Sequence, residues 1–162
     1  MKRVYSKEEV CIACGLCQVH CLVAHSESKD IIKAYKKETP RQPSRIKVQQ
    51  KGSLSFPLSC RHCEEPWCVY SCLTGALQKD PESGIVTVDA EKCVGCFTCV
   101  VACPCSAIIP DFHRKKAVKC DLCPHLETPA CVANCPNQAL IFTDGATPGG
   151  TKVAAEGAVA RR

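Results

Sequence analysis

Short runs of apolar residues, each bounded by polar or turn-forming residues, recur along the second half of the chain. Three of them predict β-strands, at Ile85–Val88, Ala117–Cys120 and Ala139–Phe142. The segment Asp80–Gly84 reads DPESG and stands directly before the first run, where a hairpin would place its turn. No apolar run approaches the roughly 18 residues of a membrane-spanning helix, so we expect no membrane span.

One pattern of residues occurs three times, at Cys72–Leu77 (CLTGAL), Cys103–Ile108 (CPCSAI) and Cys135–Leu140 (CPNQAL). Each copy has a cysteine, three further residues, an alanine and then leucine or isoleucine, which we interpret as an internal repeat. Proline follows Cys103 and Cys135 and turns the chain out of a helix. The branched residue then starts a strand. The pattern therefore predicts short helices alternating with short antiparallel strands, an α+β fold.

Cysteine is far more frequent than in ordinary proteins, whereas aromatic residues are few. The 162 residues include 17 cysteines but only four Phe, three Tyr and one Trp. An ordinary core would be short of large apolar side chains, so we expect something else to hold the fold together. The basic N-terminus has no apolar segment after it, as a secretory signal or anchor would. We therefore expect a cytoplasmic protein with reduced thiols, and the odd cysteine count also argues against disulfides.

Sixteen of the cysteines fall into four groups of four. They are group one (Cys11, Cys14, Cys17, Cys21), group two (Cys60, Cys63, Cys68, Cys72), group three (Cys93, Cys96, Cys99, Cys103) and group four (Cys120, Cys123, Cys131, Cys135). The cysteine left over is Cys105, which takes the place of Thr74 and Asn137 in the other repeats and is predicted not to be a ligand.

The spacing within the groups is typical of iron–sulfur clusters. Groups one and three read C-x2-C-x2-C-x3-C, in which three cysteines bind one [4Fe–4S] cluster and the fourth binds a neighbouring one. Groups two and four widen the second gap. The alternative is a zinc-binding interaction module, but a zinc ribbon needs two C-x2-C pairs, and a third cysteine two residues later is surplus. We therefore expect four [4Fe–4S] clusters as cofactors.

Two pairings of the groups are topologically possible. In the nested one, groups two and three form an inner two-cluster unit and groups one and four an outer one. In the sequential one, group one pairs with two and group three with four. The sequential pairing would separate the Asp80–Gly84 hairpin from the two loops that it joins, so we favour nesting. The nested ligand sets are cluster 1 (Cys11, Cys14, Cys17, Cys135), cluster 2 (Cys120, Cys123, Cys131, Cys21), cluster 3 (Cys60, Cys63, Cys68, Cys103) and cluster 4 (Cys93, Cys96, Cys99, Cys72).

The four groups, the CRHCEEPWC loop (Cys60–Cys68) and the segment Asp80–Cys96 resemble the four-cluster ferredoxin subunits of redox complexes. Such subunits partner carbon monoxide dehydrogenases, formate dehydrogenases, hydrogenases, dimethyl sulfoxide reductases and tungsten aldehyde oxidoreductases. The resemblance covers about Val10–Phe142. It implies two fused bacterial ferredoxin-like halves and the same nested pairing. The chain departs from the family because no proline follows Cys21 or Cys72 and because the gap in group four is short.

We expect residues 1–28 and 106–142 to form the outer half, 29–59 a basic linker, 60–105 the inner half and 143–162 a C-terminal tail or arm. No carboxylate pair or nucleophile–base arrangement stands out, so we expect no catalytic residues. We expect instead an electron-transfer subunit with two partners, a second redox subunit and a catalytic one. A tungsten or molybdenum aldehyde or formate enzyme is ranked first, before carbon monoxide dehydrogenase or hydrogenase. The tail offers a route to self-association.

Charge does not favour nucleic acid as a partner. The formal net charge is +5, but four clusters with deprotonated ligands contribute about −2 each and bring the assembled protein to about −3. Eight basic and two acidic residues lie within Lys29–Lys51. We interpret this segment as a solvated connector that covers the outer half, with a docking surface for a partner enzyme as the alternative.

Overall fold

The computed structural model describes residues 1–144 and has an α+β architecture of short elements. The helices are α1 (Leu16–His25), α2 (Ile31–Lys36), α3 (Trp67–Tyr70), α4 (Thr98–Ala102) and α5 (Ala130–Ala133). The strands are β1 (Arg3–Ser6), β2 (Ile46–Lys51), β3 (Leu54–Ser59), β4 (Leu77–Lys79), β5 (Val86–Val88), β6 (Ile109–Asp111), β7 (Lys116–Val118) and β8 (Leu140–Thr143). A 3-10 turn covers Glu8–Val10. Residues 145–162 of the predicted tail lie outside the described residues.

The strands form four separate antiparallel pairs. Three are hairpins of consecutive strands, β2–β3, β4–β5 and β6–β7, and the fourth joins β1 to β8, with Val4 opposite Phe142. The β1–β8 pair brings the first strand of the chain beside the last described one. Helix packing follows the same arrangement, since α1 contacts α5 and α3 contacts α4.

The predicted strands and their turn are present. Strand β5 begins one residue later than predicted, β7 begins one residue earlier, and β8 covers most of the predicted Ala139–Phe142 run. The Asp80–Gly84 turn closes through a hydrogen bond from the Gly84 N–H to the Asp80 carbonyl oxygen (2.8 Å), and the Ser83 N–H donates to the Asp80 carboxylate (3.0 Å). Gly84 has φ +68°, which glycine adopts without strain.

The basic linker contains a helix and a hairpin that the sequence analysis did not predict. Helix α2 begins after Asp30, whose carboxylate accepts a hydrogen bond from the Lys33 N–H (2.8 Å). Strands β2 and β3 are joined by the two residues Gly52 and Ser53, a recognised hairpin signal. Ile46 at the start of β2 is 2% exposed, so part of the linker belongs to the core.

Buried apolar side chains form two groups, and cysteines belong to both. One group includes Val4, Ile46 and Leu140 together with buried cysteines, and the other includes Leu77, Val86 and Ile108 with Cys99. Few large side chains are buried, as the composition predicts. The stability of the core therefore depends on what the cysteines bind.

Candidate metal centre

The first C-x2-C segment has the same backbone conformation in all four cysteine groups. In each, the residue before the second cysteine has a positive φ: Ala13 (53°), His62 (46°), Gly95 (71°) and Leu122 (64°). Positive φ is uncommon outside glycine, so its recurrence at the same position identifies one repeated loop. In two of the loops the sulfur of the first cysteine accepts a backbone hydrogen bond, from His62 to Cys60 and from Leu122 to Cys120, both 3.4 Å.

The three copies of the cysteine–alanine repeat also share a conformation. Gly75, Ser106 and Gln138, three residues after the cysteine, have φ values of 64°, 48° and 51°. This turn directs a backbone N–H back to the sulfur. The donors are Leu77 to Cys72 (3.5 Å), Ala107 to Cys103 (3.4 Å) and Ala139 to Cys135 (3.2 Å). The internal repeat predicted from the sequence is therefore confirmed in three dimensions.

Four cysteines line one cavity. They are the first three of group one and the last of group four, namely Cys11, Cys14, Cys17 and Cys135. The cavity has an open volume of about 330 Å³. Burial raises the pKa of Cys17 to about 11, against a hydrogen bond from the Gln18 N–H that lowers it, and the neighbouring thiols of Cys14 and Cys135 raise it further.

A second cavity of about 330 Å³ is lined by the first three cysteines of group three and the last of group two. These are Cys93, Cys96, Cys99 and Cys72. Burial raises the pKa of Cys99 to about 11, and charge repulsion from Cys93, Cys72 and Cys96 adds to this. In both cavities one thiol is exposed at the surface, Cys14 in the first and Cys96 in the second.

The remaining cysteines interact in two further sets. Burial raises the pKa of Cys68 to about 11, with further contributions from Cys60, Cys103 and Cys63. Burial likewise raises the pKa of Cys131, with contributions from Cys120, Cys21, Cys123 and Cys17. The thiol of Cys120, whose pKa burial raises to about 12, interacts with both Cys21 and Cys60, so the two sets are neighbours.

The environment of these sulfurs suits an iron–sulfur cluster. Crowded buried thiols resist losing their protons, and a bound metal supplies the positive charge that removes them. Backbone N–H groups aimed at the sulfurs then stabilise the thiolates and affect the cluster potential. Besides the repeats, Arg45 donates its N–H to Cys21 (3.2 Å) and Ala117 donates to Cys93 (3.5 Å).

Cys105 lines neither cavity. Its thiol is half-buried and lies near Cys63, Cys103 and Cys60, and burial is the largest cause that raises its pKa. It follows Cys103 by two residues, in the turn of the repeat, where Thr74 and Asn137 stand in the other copies.

Three charged side chains that meet beside the group four loop were not predicted from the sequence. Both ring nitrogens of His25 face acceptors, the Cys21 carbonyl at Nδ1 (2.8 Å) and the Asp121 carboxylate at Nε2 (3.1 Å). Burial alone would lower the pKa of His25, but hydrogen bonds with Asp121, with the thiols of Cys123 and Cys21 and with the Cys21 carbonyl raise it to about 11, which favours the cationic ring. Arg45 forms an ion pair with the other Asp121 oxygen. This brace, made of His25, Asp121 and Arg45, ties helix α1, the basic linker and the group four loop together.

Two further buried polar side chains lie at the centre of the molecule, on either side of Val86. His62 is fully buried, and its Nδ1 accepts a hydrogen bond from the Val86 N–H (3.0 Å). Burial lowers the pKa of His62 to about 3, so the ring is neutral. Lys119 is 4% exposed and its Nζ donates to the carbonyl oxygens of Val86 and of Cys120, the latter at 2.8 Å. No spacing pattern in the sequence distinguishes Lys119 from the surface lysines.

Within residues 1–144, no helix is long and apolar enough to cross a membrane.

The chain is similar to known proteins. The model of the 4Fe-4S dicluster domain family matches residues 52–145. The electron transport protein HydN of Escherichia coli strain K12 is 39% identical over 151 residues, covering 83% of this chain and 83% of that protein. An iron-sulfur protein of Rhodospirillum rubrum is 33% identical over 157 residues, covering 87% of this chain and 81% of that protein.

The chain is also similar to one component of a larger enzyme. A sulfite dehydrogenase subunit of Allochromatium vinosum is 44% identical over 102 residues, which is 57% of this chain and 42% of that relative. The matched family model covers more than half of the chain and includes groups two, three and four. The chain belongs to the family of 4Fe-4S dicluster domains.

Proposed function

We propose that this protein is a non-catalytic electron-transfer subunit that carries four [4Fe–4S] clusters and relays single electrons between a catalytic oxidoreductase subunit and a second redox partner. The clusters supply the electron chemistry. The chain fixes their spacing, keeps water away from them and directs N–H groups to their sulfur ligands.

The observation that carries this proposal is the composition of the two cavities. Each is lined by three cysteines of one loop and a single cysteine from a distant segment. Cys135 joins the group one loop and Cys72 joins the group three loop. A zinc ribbon would bring together two pairs, whereas three-plus-one is the arrangement of ferredoxin clusters. These two sets equal the ligands of clusters 1 and 4 in the nested scheme.

Strand and helix packing supports the nested organisation. The β1–β8 pair and the α1–α5 contact bring group one beside group four, while α3 and α4 bring group two beside group three. The interactions of Cys68 with Cys103 and of Cys131 with Cys21 agree with clusters 3 and 2. We therefore propose a row in the order cluster 1, 2, 3, 4, with residues 1–28 and 106–142 as one half and 60–105 as the other.

The two exposed cysteines support a proposal about which clusters exchange electrons with the partners. Cys14 and Cys96 are exposed and belong to the two ends of the proposed row, whereas the ligands Cys60, Cys120 and Cys131 in its middle are buried. Electrons would therefore enter and leave at clusters 1 and 4. The name of the Allochromatium relative supports a dehydrogenase as the catalytic partner, and the tungsten or molybdenum enzymes remain first in our ranking. The cytoplasmic location and self-association through the tail remain predictions.

The cluster count is tested on protein purified without oxygen. We expect about 16 iron and 16 acid-labile sulfide per chain, four of each per cluster, and an electron paramagnetic resonance spectrum of several interacting reduced clusters. About eight iron per chain would contradict the four-cluster proposal, since that amount fills only two clusters. Zinc without sulfide would establish the zinc-binding interaction module instead.

The partner is tested by purifying the native complex from the source cells with a tag on this chain. We expect a catalytic oxidoreductase subunit to co-purify and to reduce the clusters when its substrate is added. Co-purification without reduction of the clusters would contradict the relay.

A further inference from the structure

Lys119 is the only lysine or arginine among residues 1–144 that is buried. It is 4% exposed, and its Nζ contacts two backbone carbonyls. The ion pairs of the described residues involve other cations, so no carboxylate balances its charge. Burying an ammonium group without a counter-charge is strongly unfavourable. A negative group close to Lys119 is therefore needed to explain its position.

The groups around Lys119 are cysteines of two different sets. Its Nζ donates to the carbonyl oxygen of Cys120 (2.8 Å), and its charge acts on the nearby Cys60 thiol, where it opposes the effect of burial on the thiol pKa. The charge also acts on Cys68 and on Cys120, the next residue in the chain. Cys60 and Cys68 belong to proposed cluster 3, and Cys120 to proposed cluster 2. Lys119 thus lies where the inner and outer cluster pairs meet.

We propose that the Lys119 ammonium is the shared counter-charge of clusters 2 and 3 and raises the reduction potentials of both, which makes it the residue that controls electron transfer between the two halves. This inference rests on the proposed four-cluster function.

The direction of the effect follows from the charge of the clusters. Reduction adds one electron to a group that is already negative, so a nearby fixed cation stabilises the reduced form. The effect is large inside a protein, where charge interactions are weakly screened. In the transfer itself one electron passes from one cluster to the other, so the first is oxidised and the second reduced. No bond or proton changes place.

The hydrogen bonds around Lys119 hold its charge in a fixed position. Val86 accepts from the Lys119 Nζ through its carbonyl and donates its N–H to His62. Strand β5 therefore positions the charge between the two loops.

The test uses the full chain with its clusters, purified without oxygen. Lys119→Gln keeps a donor for the carbonyls and removes the charge, Lys119→Met removes both, and Lys119→Arg keeps the charge. The control is Lys29→Met, because the exposed Lys29 also donates its Nζ to a carbonyl, that of Ala24 (2.6 Å). Iron and sulfide are measured first. Potentials are then measured by redox titration followed by electron paramagnetic resonance.

In the Gln and Met variants we expect two clusters to be harder to reduce. For each of them, the ratio of reduced to oxidised form at a fixed potential should fall by about tenfold or more. The Arg variant and the Lys29 control should titrate like the unchanged protein. If both neutral variants lose iron while Lys119→Arg keeps it, the counter-charge role is also supported.

Two results would overturn the inference: unchanged potentials in a fully loaded neutral variant, or loss of iron in all three Lys119 variants, which would indicate packing alone. A failure of the proposed function is separate from both. It would appear in the unchanged protein as fewer than four clusters, whatever Lys119 does to the clusters that are present.

Discussion

At the scale of single residues, neighbouring cysteines have different surroundings although they look alike in the sequence. The sulfur of Cys103 accepts a hydrogen bond from the Ala107 N–H in the turn of the repeat. Cys105 stands two residues later at a position that a threonine and an asparagine fill in the other copies. This difference supports a ligand role for the first and none for the second.

Cys103→Ser and Cys105→Ser are therefore a matched pair. We expect Cys105→Ser to keep its full iron content, because serine resembles the residues of the other repeats. Cys103→Ser should lose or alter one cluster, and the affected cluster should be the one bound by group two. The measurements are iron and sulfide content with electron paramagnetic resonance. Equal iron loss in the two variants would contradict the assignment.

The brace of His25, Asp121 and Arg45 also acts at this scale. Asp121→Asn removes the anion that two cations share, so each loses a charged partner. Because the side chains of Asp121 and Arg45 are partly exposed, although that of His25 is buried, we expect a cost of about 1 to 2 kcal/mol. Loss of cluster absorbance on heating should therefore occur about 3 to 6 °C lower.

Asp89→Asn is the control for this change, since Asp89 pairs with Lys92 (3.4 Å) in an exposed ion pair. It should change that temperature little. An Asp121 variant as heat-resistant as the Asp89 variant would contradict a role for the brace in holding the group four loop.

At the scale of elements, the group three loop depends on the hairpin that follows it. This loop lies against the turn between β6 and β7. A Cβ atom on Gly95 would lie 2.3 Å from the carbonyl oxygen of Lys115. Gly95 also has φ +71°, but Ala13, His62 and Leu122 adopt a positive φ at the same position of the other loops. Its close approach to the hairpin is therefore what requires glycine.

Gly95→Ala should therefore prevent proper assembly of the group three loop. The backbone conformation costs about 1 kcal/mol, and the clash adds to it because a backbone atom cannot easily move away. We expect loss of about four iron per chain, measured by metal analysis.

Gly75→Ser is the matched control. Gly75 also has a positive φ, but a Cβ there would meet no atom within 4 Å. The equivalent position of another repeat is already a serine, Ser106. Iron content should be unchanged. Similar iron loss in both variants would show that backbone conformation, and not the contact with Lys115, is what matters.

At the scale of the whole molecule, the cysteines occupy the place that large apolar side chains take in an ordinary core. Buried cysteines belong to both clusters of buried side chains. The packing of each cluster therefore depends on the iron–sulfur clusters that we propose its thiols bind. Folding and cluster binding should therefore be coupled.

Removing the clusters with an iron chelator and an oxidant should unfold the chain. We expect loss of most far-ultraviolet circular dichroism together with loss of cluster absorbance, in a single transition. Chelator alone without oxygen serves as the control and should leave both signals. A protein that keeps its circular dichroism after complete iron loss would contradict the coupling.

The sequence by itself determined much of the repeated architecture. Cysteine spacing predicted the four loops. The cysteine–alanine repeat predicted that its last residue starts a strand, and strands begin at Leu77, at Ile109 (one residue after the repeat) and at Leu140. The DPESG turn was predicted with its hairpin. These features are local, because a few neighbouring residues fix the backbone conformation through hydrogen bonds and steric limits.

Only the tertiary structure decided which residues from distant segments meet. The Ile46–Ser59 region contained a Gly–Ser hairpin signal, but that signal does not indicate what the hairpin packs against. In the structure the Ser55 hydroxyl donates to the Cys11 carbonyl oxygen in the group one loop (2.7 Å). The surroundings of His25 and Lys119 likewise depend on segments up to 96 residues apart. Burial and charge balance are properties of the assembled chain, since a lysine becomes a central buried cation only when separate loops close around it.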